Sequence, residues 1–453
     1  MRNILLRKRT WYAVLLAAGV FACMQLFQPA IESRSITGEL MASDTVRSIF
    51  RQACYDCHSN ETRLAWFDNI APGSWMVAKD IREGRSALNF SEWDKLSNDR
   101  QKGVLFEAYN HIQFKAMPLP VYLLLHPGAR IGAPQIEQLR DYLRTLMVRP
   151  APDSVRTKGW QQQYDSWIKQ GSISREIRPS LNGMLFESDF NDWAAISTTV
   201  RTDNGTLKMI LGNAIAVAAV KSGHVNPWPD GAILAKVTWT QMPDASGAVG
   251  AGEFKQVAFM VKGARRYRST GGWGFSQWDK GIELVPHGKD GLFPTECVNC
   301  HRPMRDNDLV FTIPVEAAMI PGPENRVITM FADEERHTMS TLYGNDIAVR
   351  YARSSFRGAV YPPGSVLELM TWRRREDDHW FGAEIPGKVE SIEKVIIPDN
   401  PERQSSPVYE KYQGEPLKKT AVENARERID LILSRPAGVL PTSRHPSAQP
   451  SAF

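Results

Sequence analysis

Cysteine is scarce: the chain has 453 residues and five cysteines, too few for a disulfide-stapled scaffold. Charge of one sign is scarce too. The formal net charge is +5, and Arg2, Arg7, Lys8 and Arg9 supply four of those charges ahead of the first acidic residue, Glu32. The rest of the chain is close to neutral, which excludes the basic footprint of a nucleic-acid-binding protein. Long apolar runs are missing beyond the N-terminus. A hydrophobic content of 42% with 23% charged residues excludes disorder or collagen-like repetition for the chain as a whole. The length suggests more than one domain.

What is present at the N-terminus assigns a compartment. Behind the four cations runs an uncharged, mostly apolar stretch from Trp11 to Phe27. As a helix its seventeen residues reach about 26 Å, short of a ~30 Å hydrocarbon core. Residues 1–30 are expected to be a cleaved signal, with Val20-Phe21-Ala22 as a small-x-small cut, or a short retained inner-membrane anchor, which we favour. Cys23 loosely resembles a lipidation site. Every option exports the protein to the periplasm, because the positive cluster stays in the cytoplasm.

Four of the five cysteines fall into Cys54-Tyr-Asp-Cys57-His58 and Cys297-Val-Asn-Cys300-His301. A C-x-x-C pair alone suits a redox dithiol, a disulfide or half of a zinc site. Histidine occurs nine times in the chain, so its place directly after both pairs is no chance expectation. The spacing is that of c-type haem attachment: each cysteine adds to one vinyl group, and the adjacent histidine becomes an axial iron ligand. Two covalent haem c groups are the expected cofactors, with His58 and His301 on the irons.

Residues 41–148 read as one helical module. Ser43 caps a helix carrying Val46, Ile49 and Phe50, which runs into the first motif. A last helix has Pro134 in its first turn and Ile136, Leu139, Leu143 and Leu146 on one stripe. Met117, ahead of Pro118-Leu119-Pro120, is the expected sixth ligand of the first iron, a thioether on a Pro-stiffened loop; His111 and His126 are rivals. The stretches A-C-Y-D-C-H-S-N-E-T-R at 53–63, N-I-A-P-G-S-W at 69–75, L-N-F-S-E-W at 88–93 and M-P-L-P-V-Y-L-L-L-H-P at 117–127 resemble the small haem-binding domain of exported bacterial proteins. The resemblance implies one haem on Cys54, Cys57 and His58.

Residues 149–180, rich in Pro, Gln and charge, read as a linker with one short helix and Trp160 and Trp167 as isolated apolar points. Residues 181–321 read as strands, including 233–239 and 256–261, with a helix at 213–221 and a closing strand at 308–312. N-P-W-P-D-G-A-I-L-A-K at 226–236, M-V-K-G at 260–263, T-G-G-W-G-F at 270–275 and C-V-N-C-H with D-L-V-F-T at 297–312 resemble the cytochrome P-460 family, which includes β-sheet cytochromes c′. Members use the proximal histidine as fifth ligand and leave the distal face open; some oxidise hydroxylamine and others bind nitric oxide. Residues 322–425 echo this module. Gly344-Asn-Asp-Ile-Ala-Val349 repeats Gly212-Asn-Ala-Ile-Ala-Val217, and Pro363 to Trp372 repeats Asp230 to Trp239. This copy has no cysteine, and its His337 and His379 read as surface or satisfied histidines. Residues 426–453, rich in Pro and Ser after Pro436, are expected to be partly disordered.

The expected architecture is a multidomain α+β chain: an all-α cytochrome c-like N-terminal domain, then two antiparallel β-sheet-rich P-460-like modules. The resemblance implies a periplasmic dihaem protein. One haem would bind or oxidise a small nitrogen species, hydroxylamine or nitric oxide, and the other would relay electrons to a redox partner. The alternative is a non-catalytic gas-binding or electron-transfer cytochrome. Hydroxylamine-oxidising P-460 proteins carry a lysine bonded to the porphyrin edge. Lys236 is the candidate here, ahead of Lys221 and Lys262, because strand alternation puts it with Leu234 and Thr238 on one face. The bland reading is a lysine whose stem packs and whose amine reaches water or a haem propionate. A proton acceptor is sought among Glu253, Asp244, His224 and His287.

Overall fold

The computed structural model describes residues 2–441 apart from 33, 148–150, 152, 171–176, 245–246, 355–359, 400–405 and 422–423. The chain divides into two compact units, 1–146 and 147–453.

The first unit is helical: α1 (Arg2–Gln25), α2 (Asp44–Ala53), α3 (Tyr55–His58), α4 (Gly73–Ala87), α5 (Asn98–Gln113), α6 (Pro120–Leu125) and α7 (Ala133–Leu146). Ser43 caps α2 by accepting from the Val46 amide, and Val46, Ile49 and Phe50 are buried. Leu139 and Leu143 of α7 complete that core. Phe90 packs between Phe50 and Tyr55, with ring centroids 5.2 and 5.1 Å away. Among the described residues no helix is long and apolar enough to cross a membrane.

Among the described residues the second unit begins with α8 (Ser154–Gln170) and is built on twelve strands: β1 (Ala194–Arg201), β2 (Thr206–Gly212), β3 (Ile233–Pro243), β4 (Ala248–Lys262), β5 (Trp273–Asp279), β6 (Val285–Pro286), β7 (Arg326–Asp333), β8 (Thr338–Gly344), β9 (Val366–Asp377), β10 (Trp380–Ile396), β11 (Val408–Gln413) and β12 (Lys418–Thr420). Helices α9 (Ala214–Ser222), α10 (Pro294–His301), α11 (Asp346–Ser354) and α12 (Ala425–Leu433) complete it. Every pairing is antiparallel. The order β1-β2-β3-β4-β7-β8-β9-β10 closes on itself where Val200 and Arg201 meet Glu384 and Ala383. The result is a barrel of eight strands, with β5 and β6 added beyond β4 and β11 and β12 beyond β10.

The sequence repeat is a structural one. Asn213 caps α9 by accepting from the Ala216 and Ile233 amides and donates to the Gly231 carbonyl. Asn345 does the same for α11 with Ala348, Val366 and Gly364. Gly231 and Gly364 both have left-handed φ, +84° and +80°, a conformation that glycine adopts without steric cost.

Four expectations change. The two β modules are halves of one barrel, because β4 of the first pairs with β7 of the second and β1 with β10. The expected linker at 149–180 contains the seventeen-residue α8, whose Trp160, Tyr164, Trp167 and Ile168 enter the barrel unit's core. The tail is ordered to residue 441: α12 packs through Ile432, and Ala437, Val439 and Leu440 are buried; residues 442–453 lie outside the described ones. Residues 308–312 form no strand. Asp308 and Leu309 take left-handed φ values of 49° and 62°, which breaks an extended run.

Candidate haem centres

In the first unit the C-x-x-C-H motif closes one helical turn, with the His58 amide donating to the Cys54 carbonyl at 2.8 Å. Helix α4 crosses it at Gly84, where a Cβ would lie 2.6 Å from the Cys57 oxygen; only glycine allows that approach. His58 Nδ1 donates to the Leu88 carbonyl at 3.1 Å, so Nε2 is left as the ligand atom. Burial lowers the His58 pKa and pushes the Cys54 and Cys57 thiols up to about 12. Met117 is half-buried after α5, with its amide donating to the His111 carbonyl at 3.1 Å. His126 is engaged at both nitrogens: Nδ1 with the Tyr122 carbonyl and Nε2 with Asp68, at 3.2 and 3.1 Å, with its ring stacked on Tyr122. That leaves it no free nitrogen for iron.

The second motif lies on α10, opened by Pro294 in the first turn. His301 Nδ1 donates to the Leu309 carbonyl at 2.7 Å, the same arrangement as in the first unit. Its ring sits 5.4 Å from Phe275 and 5.1 Å from Phe311. The haem-free repeat contributes here: Trp380 packs on Phe311 at 5.4 Å, and His379 Nδ1 donates to the Phe311 carbonyl at 2.7 Å. Burial, then Lys236 and Lys208, hold the His301 pKa down near 4.

The loop carrying Leu309 is fixed by an ion pair that sequence reasoning missed. Lys262 Nζ meets both oxygens of Asp308 at 2.6 and 2.7 Å. The Trp228 amide donates to Asp308 Oδ2 at 2.9 Å, and the Trp273 indole to the Asp308 carbonyl at 2.8 Å. Lys262 is thereby committed, and Lys221 is exposed on α9. Lys236 acts electrostatically on Cys300 and Cys297; burial lowers its pKa. Lys208, also missed, stands on β2 near Cys300, with its pKa well below the ordinary value through burial and the neighbouring cations. Alternation sets it on one face of β2 with Ile210, but only the register between β2 and β3 brings that face beside Lys236 and Thr238.

Of the residues considered as proton acceptors, His287 borders the face of Lys236. His287 is paired through Nδ1 with Asp279 Oδ2, and Gln277 donates to Asp279 Oδ1 at 2.8 Å. Gln277 lies opposite Ala258, which lies opposite Lys236, so the pair borders the lysine's face. Asp244 is instead bound to Arg435, and His224 bonds Ser222. The Asp279 hydrogen bond raises the His287 pKa above 6.5. Burial raises the Asp279 pKa, but the bonds from His287 and Gln277 outweigh it, so the net shift is below 3.8. The pairing therefore stabilises the fold between these values. The histidine's share is complete below its unfolded pKa and fades as pH rises through the raised one. The aspartate's share fades as pH falls through the lowered one. Thermal melts across about pH 6–9 should show an alkaline-side loss of stability for the wild type that His287→Gln abolishes; a mutant pH profile identical to wild type would contradict the pairing.

Both motifs fit haem: four cysteines without disulfides, and two imidazoles whose Nδ1 protons are committed. Among the described residues no cluster of three or more His, Cys, Asp or Glu could hold a metal ion, so the zinc alternative finds no ligand set. The fold and these sites define a haem cytochrome. Residues 14–145 match the family model of a haem-binding domain, and residues 187–312 match that of cytochrome P460. The chain is a fusion of these two domain families. No curated protein matches it.

Proposed function

We propose that the chain is an exported dihaem c-type cytochrome. Its second haem binds and oxidises a small nitrogen species, hydroxylamine or nitric oxide, and its first relays the electrons to a periplasmic redox partner. The observation that carries this reading is the place of Lys236: a half-buried residue of β3, opposite Ile210 and two residues after Leu234, both in a core cluster against which Cys297 and Val298 of the second motif pack. In the P-460 proteins that oxidise hydroxylamine, a lysine is bonded to the porphyrin edge. Burial that disfavours the protonated amine also makes it a nucleophile.

Cys54 and Cys57, and Cys297 and Cys300, would hold the two haems as thioethers; His58 and Met117 would ligate the first iron and His301 the second. A haem held at His301 would supply the iron chemistry: small-ligand binding and electron acceptance. The protein's residues do the rest. The Leu309 carbonyl fixes which nitrogen of His301 is the ligand, and Phe275 and Phe311 flank that imidazole. His287, paired through Nδ1 with Asp279, would accept an N–H or O–H proton at Nε2.

Proteolysis and mass spectrometry of the haem peptides test the reading. The peptide carrying Lys236 is expected joined to the one carrying Cys297 and Cys300. Anaerobic mixing of the oxidised protein with hydroxylamine should reduce haem and release N₂O or NO. A haem held by cysteines alone, with inert ligand binding, would favour the non-catalytic cytochrome.

A further inference from the structure

Three hydrogen-bond donors share one sheet face near the second haem motif, and none has an acceptor. Lys236 of β3 lies opposite Ile210 of β2, and Lys208 of β2 lies opposite Thr238 of β3. Directly opposed residues share a face, so two amines and a hydroxyl form one patch. Thr238 is 4% exposed, and its Oγ1 is buried without a hydrogen-bond partner. Neither lysine makes an ion pair or hydrogen bond among the described residues. The carboxylate that acts on Lys208, Asp203, is held by Arg201 through both oxygens.

The haem-free repeat is an internal contrast. Ser340 lies opposite Thr371 there as Lys208 lies opposite Thr238, and Leu369 takes the place of Lys236. Ser340 Oγ and Thr371 Oγ1 bond each other at 2.9 Å. The hydroxyl is thus satisfied where the cysteines are missing, whereas beside the cysteines the same face carries two amines and a hydroxyl with no partner. A buried hydroxyl without a partner, as Thr238 Oγ1 is, costs free energy until one arrives, and two half-buried amines beside it select a negative one.

We infer that Lys208, Thr238 and Lys236 form an oxyanion cradle beside Cys300 and His301, suited to two oxygens on one atom. That chemistry has two sources: a free small oxoanion such as nitrite, or a carboxylate of the haem. The inference rests on the reading that His301 holds a haem. It does not depend on a bond between Lys236 and that haem, because Lys208 and Thr238 remain donors either way.

The test uses the full haem-loaded chain with Lys208→Met and Thr238→Val, and Lys208→Arg and Thr238→Ser as variants that keep charge and hydroxyl. Nitrite is titrated into the oxidised protein and followed by absorption. Haem occupancy is read from the mass of the peptide carrying Cys297 and Cys300, and the midpoint potential of that haem is recorded. A free-anion cradle gives full occupancy and nitrite binding weakened about tenfold or more in Lys208→Met, restored in Lys208→Arg. A haem-carboxylate cradle leaves the nitrite response unchanged but lowers occupancy or the potential, since a cation favouring the reduced state is gone. Met and Val variants matching wild type in all three measurements overturn the cradle. A wild-type peptide without haem mass is a separate result: it removes the haem reading, and the cradle with it.

Discussion

Ending the chain after Arg435 should lower the unfolding free energy of the second unit by about 5 kcal/mol, a large part of the 5–15 kcal/mol typical of a folded domain. The removed residues include Val439 and Leu440, which are 0% and 2% exposed, and burying each such side chain contributes about 1.5–3 kcal/mol. They also stitch the two repeats together. The Gly438 amide donates to the Ile328 carbonyl on β7, and the Trp239 indole on β3 donates to the Val439 carbonyl at 2.8 Å. Truncation therefore strands a buried indole N–H, which costs a further 1–3 kcal/mol or so. Urea unfolding should show a lower midpoint for the truncated protein. Trp239→Phe, which loses the hydrogen bond and keeps an apolar ring, should cost less. A truncated chain with an unchanged midpoint would mean that this segment does not belong to the core.

Why this segment escaped sequence reading is instructive. The stretch after Pro436 is rich in Pro and Ser, and the closely spaced Ala437, Val439 and Leu440 give no periodicity to detect. Helix α8 is a related case. Trp160, Tyr164, Trp167 and Ile168 are spaced for one helical stripe, but Gln161, Gln162 and Gln163 among them make the stretch look like polar linker. Gln163 is in fact structural: it bonds both the amide and the carbonyl of Phe254, at 2.7 and 3.0 Å. Local signals did carry over wherever one residue decides the geometry. Ser43, Asn213 and Pro134 start helices where their chemistry says they should, and the two C-x-x-C-H motifs lie on single turns. Barrel closure left no such trace, because it depends on two residue pairs between β1 and β10 nearly two hundred positions apart. Strand alternation supplied Lys236. Lys208 needed the register between β2 and β3, which sequence does not give. The same holds for residues 308–312: Val310, Phe311 and Thr312 favour a strand, but Asp308 is drawn into a left-handed turn by Lys262.

That turn sets the second large effect. Asp308→Ala should destabilise the protein by about 3–5 kcal/mol, the usual consequence of leaving one partner of a buried ion pair uncompensated. Lys262 is 7% exposed, and beyond Asp308 its side chain has mainly the Trp273 ring, 5.0 Å from Nζ. Alanine also removes the acceptor for the Trp228 amide and, at φ 49°, lacks the short polar side chain that makes Asp and Asn the non-glycine residues most tolerant of the left-handed region. Asp308→Asn separates these contributions. Asparagine tolerates the left-handed conformation and keeps an acceptor for Trp228, so its loss isolates the charge. Lys262→Met combined with Asp308→Asn should recover part of the stability, because removing both charges ends the uncompensated burial. The damage should reach the haem ligand as well. Leu309 follows Asp308, and its carbonyl holds the His301 Nδ1 proton at 2.7 Å; a loosened turn weakens that bond and lowers the basicity of the imidazole toward iron. The haem-loaded Asp308→Ala protein should therefore show both a lower melting temperature and a shifted iron–histidine stretching frequency in resonance Raman spectra, whereas Asp68→Ala in the first unit should leave that frequency unchanged. An Asp308→Ala protein that melts and scatters like the wild type would show that the ion pair neither stabilises the loop nor positions His301.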